Sequence, residues 1–283
     1  MYCNSLLSIN IPDTVTNFEI NEQASDIYGG LDSGGMFACC SSLKEVHLPN
    51  TITEIGDGAF SGCPLTNINI PNTVTRIGQS AFSGCSLTNI NIPNSITTID
   101  ENAFAYCSSL TNITIPQSVT EIGDGAFYEC SSLTNVTIST NTQVNNSFYY
   151  YTYNYNAGSH YISPIKNLTI TNGDDTTITS DFINSIISNC DIINITNITI
   201  SNGITEIGES AFSNQSHLTS VTIPDSVTTI GDYAFSDCTN TSLSITIPNS
   251  VTEIGDNAFN GVNHIEYHGT ASGSPWGANA INN

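Results

Sequence analysis

Apolar residues return along this chain on two scales at once. Within a few residues they alternate, as in Ile113-Thr114-Ile115, which is the period-two pattern of a half-buried strand. Over longer distances the whole set repeats. The motif Ile-Gly-x-x-Ala-Phe, or a close variant, starts at Ile55, Ile77, Ile99, Ile122, Ile207, Ile230 and Ile254, with steps of 22, 22, 23, 85, 23 and 24 residues. A fixed period of this length predicts a solenoid, whose units bury a common core only when stacked.

One unit is legible residue by residue. In Ser109–Cys130, Leu110, Ile113 and Ile115 give the spacing Leu-x-x-Ile-x-Ile, so Ile113 and Ile115 face in and Thr114 faces out. Pro116 ends the strand, because it has no amide to donate to a ladder. Val119 and Ile122 form a second apolar pair, Gly123 is expected at a tight bend, and Ala126, Phe127 and Cys130 turn inward. Equivalent strands are expected around Ile9, Val46, Ile68, Ile90, Ile113, Val136, Leu168, Ile198, Val221, Ile245 and Ile265, stacked as a parallel sheet. Two stretches, 18–37 and 139–197, are expected to be enlarged, irregular repeats. In the second, the rungs are 32 and 30 residues apart, and Asp181–Ile187 has helical spacing behind a Ser180/Asp181 cap. Ile187 would there replace the Phe, three residues before Cys190. The chain opens mid-unit at Cys3, which is read as the start of a fragment of one 1–283 solenoid.

The pattern Leu-x-x-Ile-x-Ile-Pro-x-Ser-Val-Thr-x-Ile-Gly-x-x-Ala-Phe-x-x-Cys resembles the leucine-rich repeat of the BspA type, and Asn112–Cys130 follows it almost without departure. The resemblance implies an α/β solenoid with a parallel sheet on the concave face and loops or short helical turns on the convex face. It also implies display at a cell surface, or secretion, and a role in adhesion. Gly273–Ala278 is similar to the last turn of that family, so 268–283 is expected to form a C-terminal cap with Trp276 over the open end.

Charge narrows the partners. The formal net charge is −22, with three basic residues: Lys44, Arg76 and Lys166. Nucleic acid is therefore not expected as a partner, since phosphate binding needs clustered Lys or Arg. No run approaches the roughly 20 apolar residues of a membrane-spanning helix.

Catalytic and metal chemistry find little footing. The nine cysteines include Cys40, Cys63, Cys85, Cys107, Cys130, Cys190 and Cys238 at one repeat position, which suits an inward ladder of free thiols. Their parallel side-chain directions fit a disulfide poorly. His264 and His268 flank the last rung, about 13 Å apart on an extended strand and too far for one ion. No nucleophile–base pair, phosphate loop or cofactor motif stands out, so no catalytic residue, metal or cofactor is expected. The acids fall in two columns, one through Glu54, Arg76, Thr98 and Glu121 and one through Asp57, Gln79, Glu101 and Asp124. Both columns resume in the later coils, where Glu209, Asp232 and Asp256 follow one another and would repel unless water or a cation such as calcium intervened.

Two surfaces remain as candidates. The outward residues of the strand face, His47, Asn69, Asn91, Thr114, Thr137, Thr169, Thr199, Thr222 and Thr246, form a polar, nearly uncharged column suited to hydrogen bonding. Six of the twelve tyrosines, Tyr149, Tyr150, Tyr151, Tyr153, Tyr155 and Tyr161, fall in one loop, and tyrosine joins a large contact area to a polar tip. The expected partner is a host or neighbouring-cell protein or glycan. The rival reading is a structural spacer or array-forming segment with no specific ligand.

Overall fold

In the computed structural model of the chain, the described residues are 3–18, 35–154, 158–187, 190, 193–271, 276–279 and 281–282. They fall in two compact units, Met1–Thr134 with Thr142–Pro164, and Asn135–Asn141 with Ile165–Asn283.

In the first unit, Ser8–Asn10 pairs parallel with Glu45–His47, Ile9 facing Val46. A second parallel sheet of two-residue strands links Glu54–Ile55, Arg76–Ile77, Thr98–Ile99, Glu121–Ile122 and Gln143–Val144 in that order. Its isoleucines are wholly buried and its polar partners look outward. One antiparallel hairpin, Tyr150–Asn154 with Gly158–Ile162, belongs to the same unit.

The second unit repeats the plan. Asn135–Ser139, Asn167–Thr171, Asn197–Ile200, Ser220–Thr222, Ser244–Ile247, His264–Tyr267 and Ile281–Asn282 form consecutive parallel neighbours. Thr177–Ile178, Glu206–Ile207, Thr229–Ile230 and Glu253–Ile254 form its short-stranded sheet. The expected rungs at Val136, Leu168 and Ile198 are in register despite their long separation. The helix is Ser180–Ile187, and Thr179 caps it: its hydroxyl accepts from the Phe182 amide at 3.1 Å. The cap thus lies one residue before the expected Ser180. Ile187 does take the place of Phe, since the Cys190 amide donates to its carbonyl as Cys63 does to Phe60.

The core explains the period. Successive Phe rings stack face to face: Phe60, Phe82, Phe104, Phe127 and Phe148 at centroid spacings of 5.6, 5.4, 5.4 and 5.0 Å. In the second unit Phe212, Phe235 and Phe259 stack at 5.3 and 5.6 Å. All are buried. Losing one such ring to Ala costs about 3–5 kcal/mol. The backbone repeats with the core. Phe60, Phe82 and Phe104 each donate their amide to the Ala carbonyl of the next coil at 2.8 Å. Phe259 donates to the Trp276 carbonyl at 3.0 Å. Trp276 is buried against Tyr267, edge to face at 5.5 Å.

Two expectations change. Gly123 does not make the bend, as its φ is not positive. A Cβ there would meet the Glu101 amide nitrogen at 2.5 Å, so close approach of the neighbouring coil requires glycine. The left-handed residues come later, two per coil, at Gly58, Ser80, Asn102 and Gly125 and again at Gly62, Gly84, Tyr106 and Glu129. Second, Ile68–Ile70 and Ile90–Ile92 point inward but form no strand ladder. Each follows a connection one residue shorter, Pro64 or Ser86, than the two-residue connections before the paired rungs at Val46, Ile113 and Val136.

Candidate recognition surfaces

The polar column on the outward side of the rungs is largely in solvent. His47, Asn69, Asn91 and Thr114 are exposed in the first unit, and Thr199, Thr222 and Thr246 in the second; Thr137 and Thr169 are half-buried. Register brings Thr137, Thr169, Thr199 and Thr222 side by side, each on a neighbouring strand. Beside them runs a row that sequence reasoning missed. The Asn167 amide donates to Asn135 Oδ1, and Asn197 to Asn167 Oδ1, both at 2.6 Å. The signal was available, as Asn precedes the first aliphatic of six successive rungs, from Asn67 to Asn197. This row is satisfied internally, so its contribution is to hold the strands in register beside the threonines.

The acidic columns are also placed as expected. Glu54, Arg76, Thr98 and Glu121 are ladder partners in turn. Arg76 bonds Glu54, Asp57 and Asp100, with the Asp57 contact at 3.0 Å. Burial pulls the Arg76 guanidinium down, but the Glu54 and Asp100 contacts outweigh it and raise it above its ordinary value. Burial raises Asp100, and Arg76 only partly offsets this because Asp57 and Glu54 repel the same charge. A shallow polar hollow of about 400 Å³ opens here, lined by Arg76, Gln79, Glu101, Glu121 and Asp124 among others. Asp57 Oδ1 also accepts the Gln79 amide at 2.9 Å, and Asp232 Oδ1 the Asp256 amide at 2.7 Å. The coil-to-coil approach of these acids is thus bridged by backbone donors, a solution the sequence reading did not anticipate. Among the described residues, no group of three or more His, Cys, Asp or Glu is placed to hold a metal ion.

Cys40, Cys63, Cys85, Cys107, Cys130 and Cys238 are buried thiols outside any disulfide, and Cys190 is half-buried. Cys63, Cys85, Cys107, Cys130 and Cys238 each donate their thiol to the Phe carbonyl of the preceding coil, at 3.0–3.2 Å. Burial pushes the thiols of Cys63, Cys107 and Cys238 up to about 12, so they stay protonated and poorly nucleophilic at neutral pH.

These features, an aliphatic rung, a Glu/Thr–Ile strand, a Phe stack and an inward Cys, recur in one order coil after coil. The BspA-type leucine-rich repeat region matches residues 33–156 and 183–273 in six copies. The chain belongs to the BspA-type leucine-rich repeat family. Solved structures similar to this family member include a leucine-rich repeat protein from Bacteroides ovatus, at 23% identity and a TM-score of 0.38, over 99% of this chain and 75% of that one. The pneumococcal vaccine antigen PcpA is 17% identical at a TM-score of 0.40, over 93% and 72%. A leucine-rich cell surface protein from Faecalibacterium prausnitzii is 25% identical at 0.33, over 94% and 74%. No curated protein matches the chain.

Within this BspA-type chain the tyrosine-rich segment is a hairpin. Tyr151 and Tyr161 are cross-strand partners, both 43% exposed, with ring centroids 5.8 Å apart. Tyr149 lies edge to face on Tyr161 at 5.5 Å, and Tyr150 is half-buried on the same strand. Tyr153 is placed by its backbone opposite Ser159. Tyr155 lies outside the described residues. No described helix is long and apolar enough to cross a membrane.

Proposed function

We propose that this chain is a recognition module displayed at a cell surface or secreted, which adheres to a host or neighbouring-cell protein or glycan. Contact is made through the polar column on the outward side of the rungs and through the tyrosine hairpin. The observation that carries this reading is the hairpin, whose antiparallel pairing sets Tyr151 and Tyr161 opposite each other, both substantially exposed. Exposed, paired aromatics with polar tips are what recognition surfaces use for contact area at low entropic cost. Family membership supports the adhesive role.

The test is binding to immobilised matrix proteins and to a glycan array, before and after deletion of 149–155. Retention by at least one target that is lost on deletion, with the thermal midpoint little changed, is the expected result. End-to-end assembly of the chain with no retention on any target would instead establish the spacer reading.

A further inference from the structure

The tyrosines of the hairpin do not stand alone. Tyr106 and Tyr128, from the two preceding coils, extend them into one continuous strip. Tyr106 meets Tyr128 edge to face at 5.4 Å, Tyr128 meets Tyr149 at 5.0 Å, and Tyr149 meets Tyr161 at 5.5 Å. Backbone bonds fix the spacing: the Tyr106 amide donates to the Tyr128 carbonyl at 2.7 Å, and the Glu129 amide to the Tyr149 carbonyl at 2.9 Å. Glu129 Oε1 in turn accepts the Tyr151 amide at 2.9 Å, which anchors a carboxylate among the rings.

Tyr106 is the informative member. Its φ is +61°, at the slot where Gly62 and Gly84 stand in the two preceding coils. A bulky residue is seldom found in the left-handed region, and the chain accepts that strain without burying the ring, which is 56% exposed. Its contact with Tyr128 leaves more than half of the residue in solvent, where it is open to a partner.

Charge indicates the partner. Tyrosine faces attract cations, arginine above all, because the guanidinium both stacks on a ring and donates to hydroxyl and carboxylate oxygens. This chain carries −22 and only three Lys or Arg, so it cannot supply such a group generously itself, and a second copy would be repelled. We propose that the Tyr106–Tyr128–Tyr149–Tyr161 strip, with Glu129, is the docking site for an arginine-rich segment of another protein. The inference rests on the recognition reading of the hairpin and names the chemistry of its partner.

The test uses the full chain and a synthetic peptide of alternating Arg and Gly, with a Ser-Gly peptide and a soluble neutral glucan as competing probes. Binding is followed by calorimetry at low and high salt. Tyr106→Gly and Tyr128→Ser install residues that neighbouring coils use at those slots, so folding is retained and the thermal midpoint reports it. The Arg-Gly peptide is expected to bind, more weakly at high salt, and each variant to lose roughly two- to five-fold in affinity. Tyr233→Gly, an exposed left-handed tyrosine in the other unit, is expected to change nothing. Peptide binding insensitive to Tyr106→Gly and Tyr128→Ser, glucan binding in place of peptide binding, or self-association through these rings would each overturn the strip assignment. If matrix or glycan binding then survives and is lost on changing the Thr199–Thr222 column, the recognition reading stands and only this inference fails.

Discussion

Arg76 occupies a ladder position where the neighbouring coils carry Glu54 and Thr98, and Asp100 occupies one where they carry Gly78 and Gly123. The two departures compensate each other, since Asp100 supplies one of the three carboxylates on Arg76. Most of these groups are more than a third exposed, so each pair contributes only about 0.2–1 kcal/mol. Arg76→Thr is accordingly expected to cost about 1–2 kcal/mol in urea unfolding at low salt, because it also leaves Glu54, Asp57 and Asp100 facing one another. Adding Asp100→Gly should recover part of that loss, giving a coupling of at least about 0.5 kcal/mol in the double-mutant cycle. Strict additivity would show that the network contributes nothing. Sequence reading placed Arg76 beside Glu54 in its column but not beside Asp57 or Asp100, because those two hold other positions of their coils.

At the scale of the element, the thiol row has a pH dependence whose sign is fixed. An unfolded thiol titrates near 9.0, whereas burial holds Cys63, Cys107 and Cys238 up to about 12. Between these values the unfolded chain binds fewer protons than the folded one, so stability falls as pH rises, by about 1.4 kcal/mol per pH unit for each such thiol. Below about pH 9 this contribution to the slope vanishes. Thermal midpoints followed from neutral pH to about pH 11 should drop steeply, and less steeply in a Cys63→Ala/Cys107→Ala variant; parallel curves would refute a buried, protonated row. The inward position of these thiols was readable from their fixed offset after Phe. The short strands were not. Two residues are too few to show alternation, so Glu54–Ile55 and its relatives read only as an apolar position and a charge column. The coil containing Val144 and Phe148 was missed for a related reason: Asn145 and Asn146 stand in the turn and one residue is absent, yet Val144 pairs with Ile122 and Phe148 stacks on Phe127.

For the molecule as a whole, the imbalance of charge dominates. A chain at −22 with three basic residues repels itself when compact, and that repulsion is screened by salt. The thermal midpoint is therefore expected to rise from low to physiological ionic strength, and to rise further in Arg76→Thr, which carries one more unit of uncompensated charge. A midpoint that falls with salt would mean that the Arg76 network outweighs the long-range repulsion. The fold was almost fully legible because one short pattern is restated in every coil, whereas the tyrosine strip was legible only in its hairpin half. Tyr106 and Tyr128 hold different slots of successive coils, so no periodic search aligns them; their adjacency arises only when the coils stack. The matching edges of these coils carry one more consequence. Each coil offers its neighbour the same donors and acceptors, and the Trp276 carbonyl accepts the Phe259 amide as the Ala carbonyls accept the earlier ones, so gene duplication can lengthen or shorten the stack by whole coils at little folding cost. A duplication within 106–149 is the exception: it would pull the rings apart and leave the partner's arginines with nothing continuous to grip.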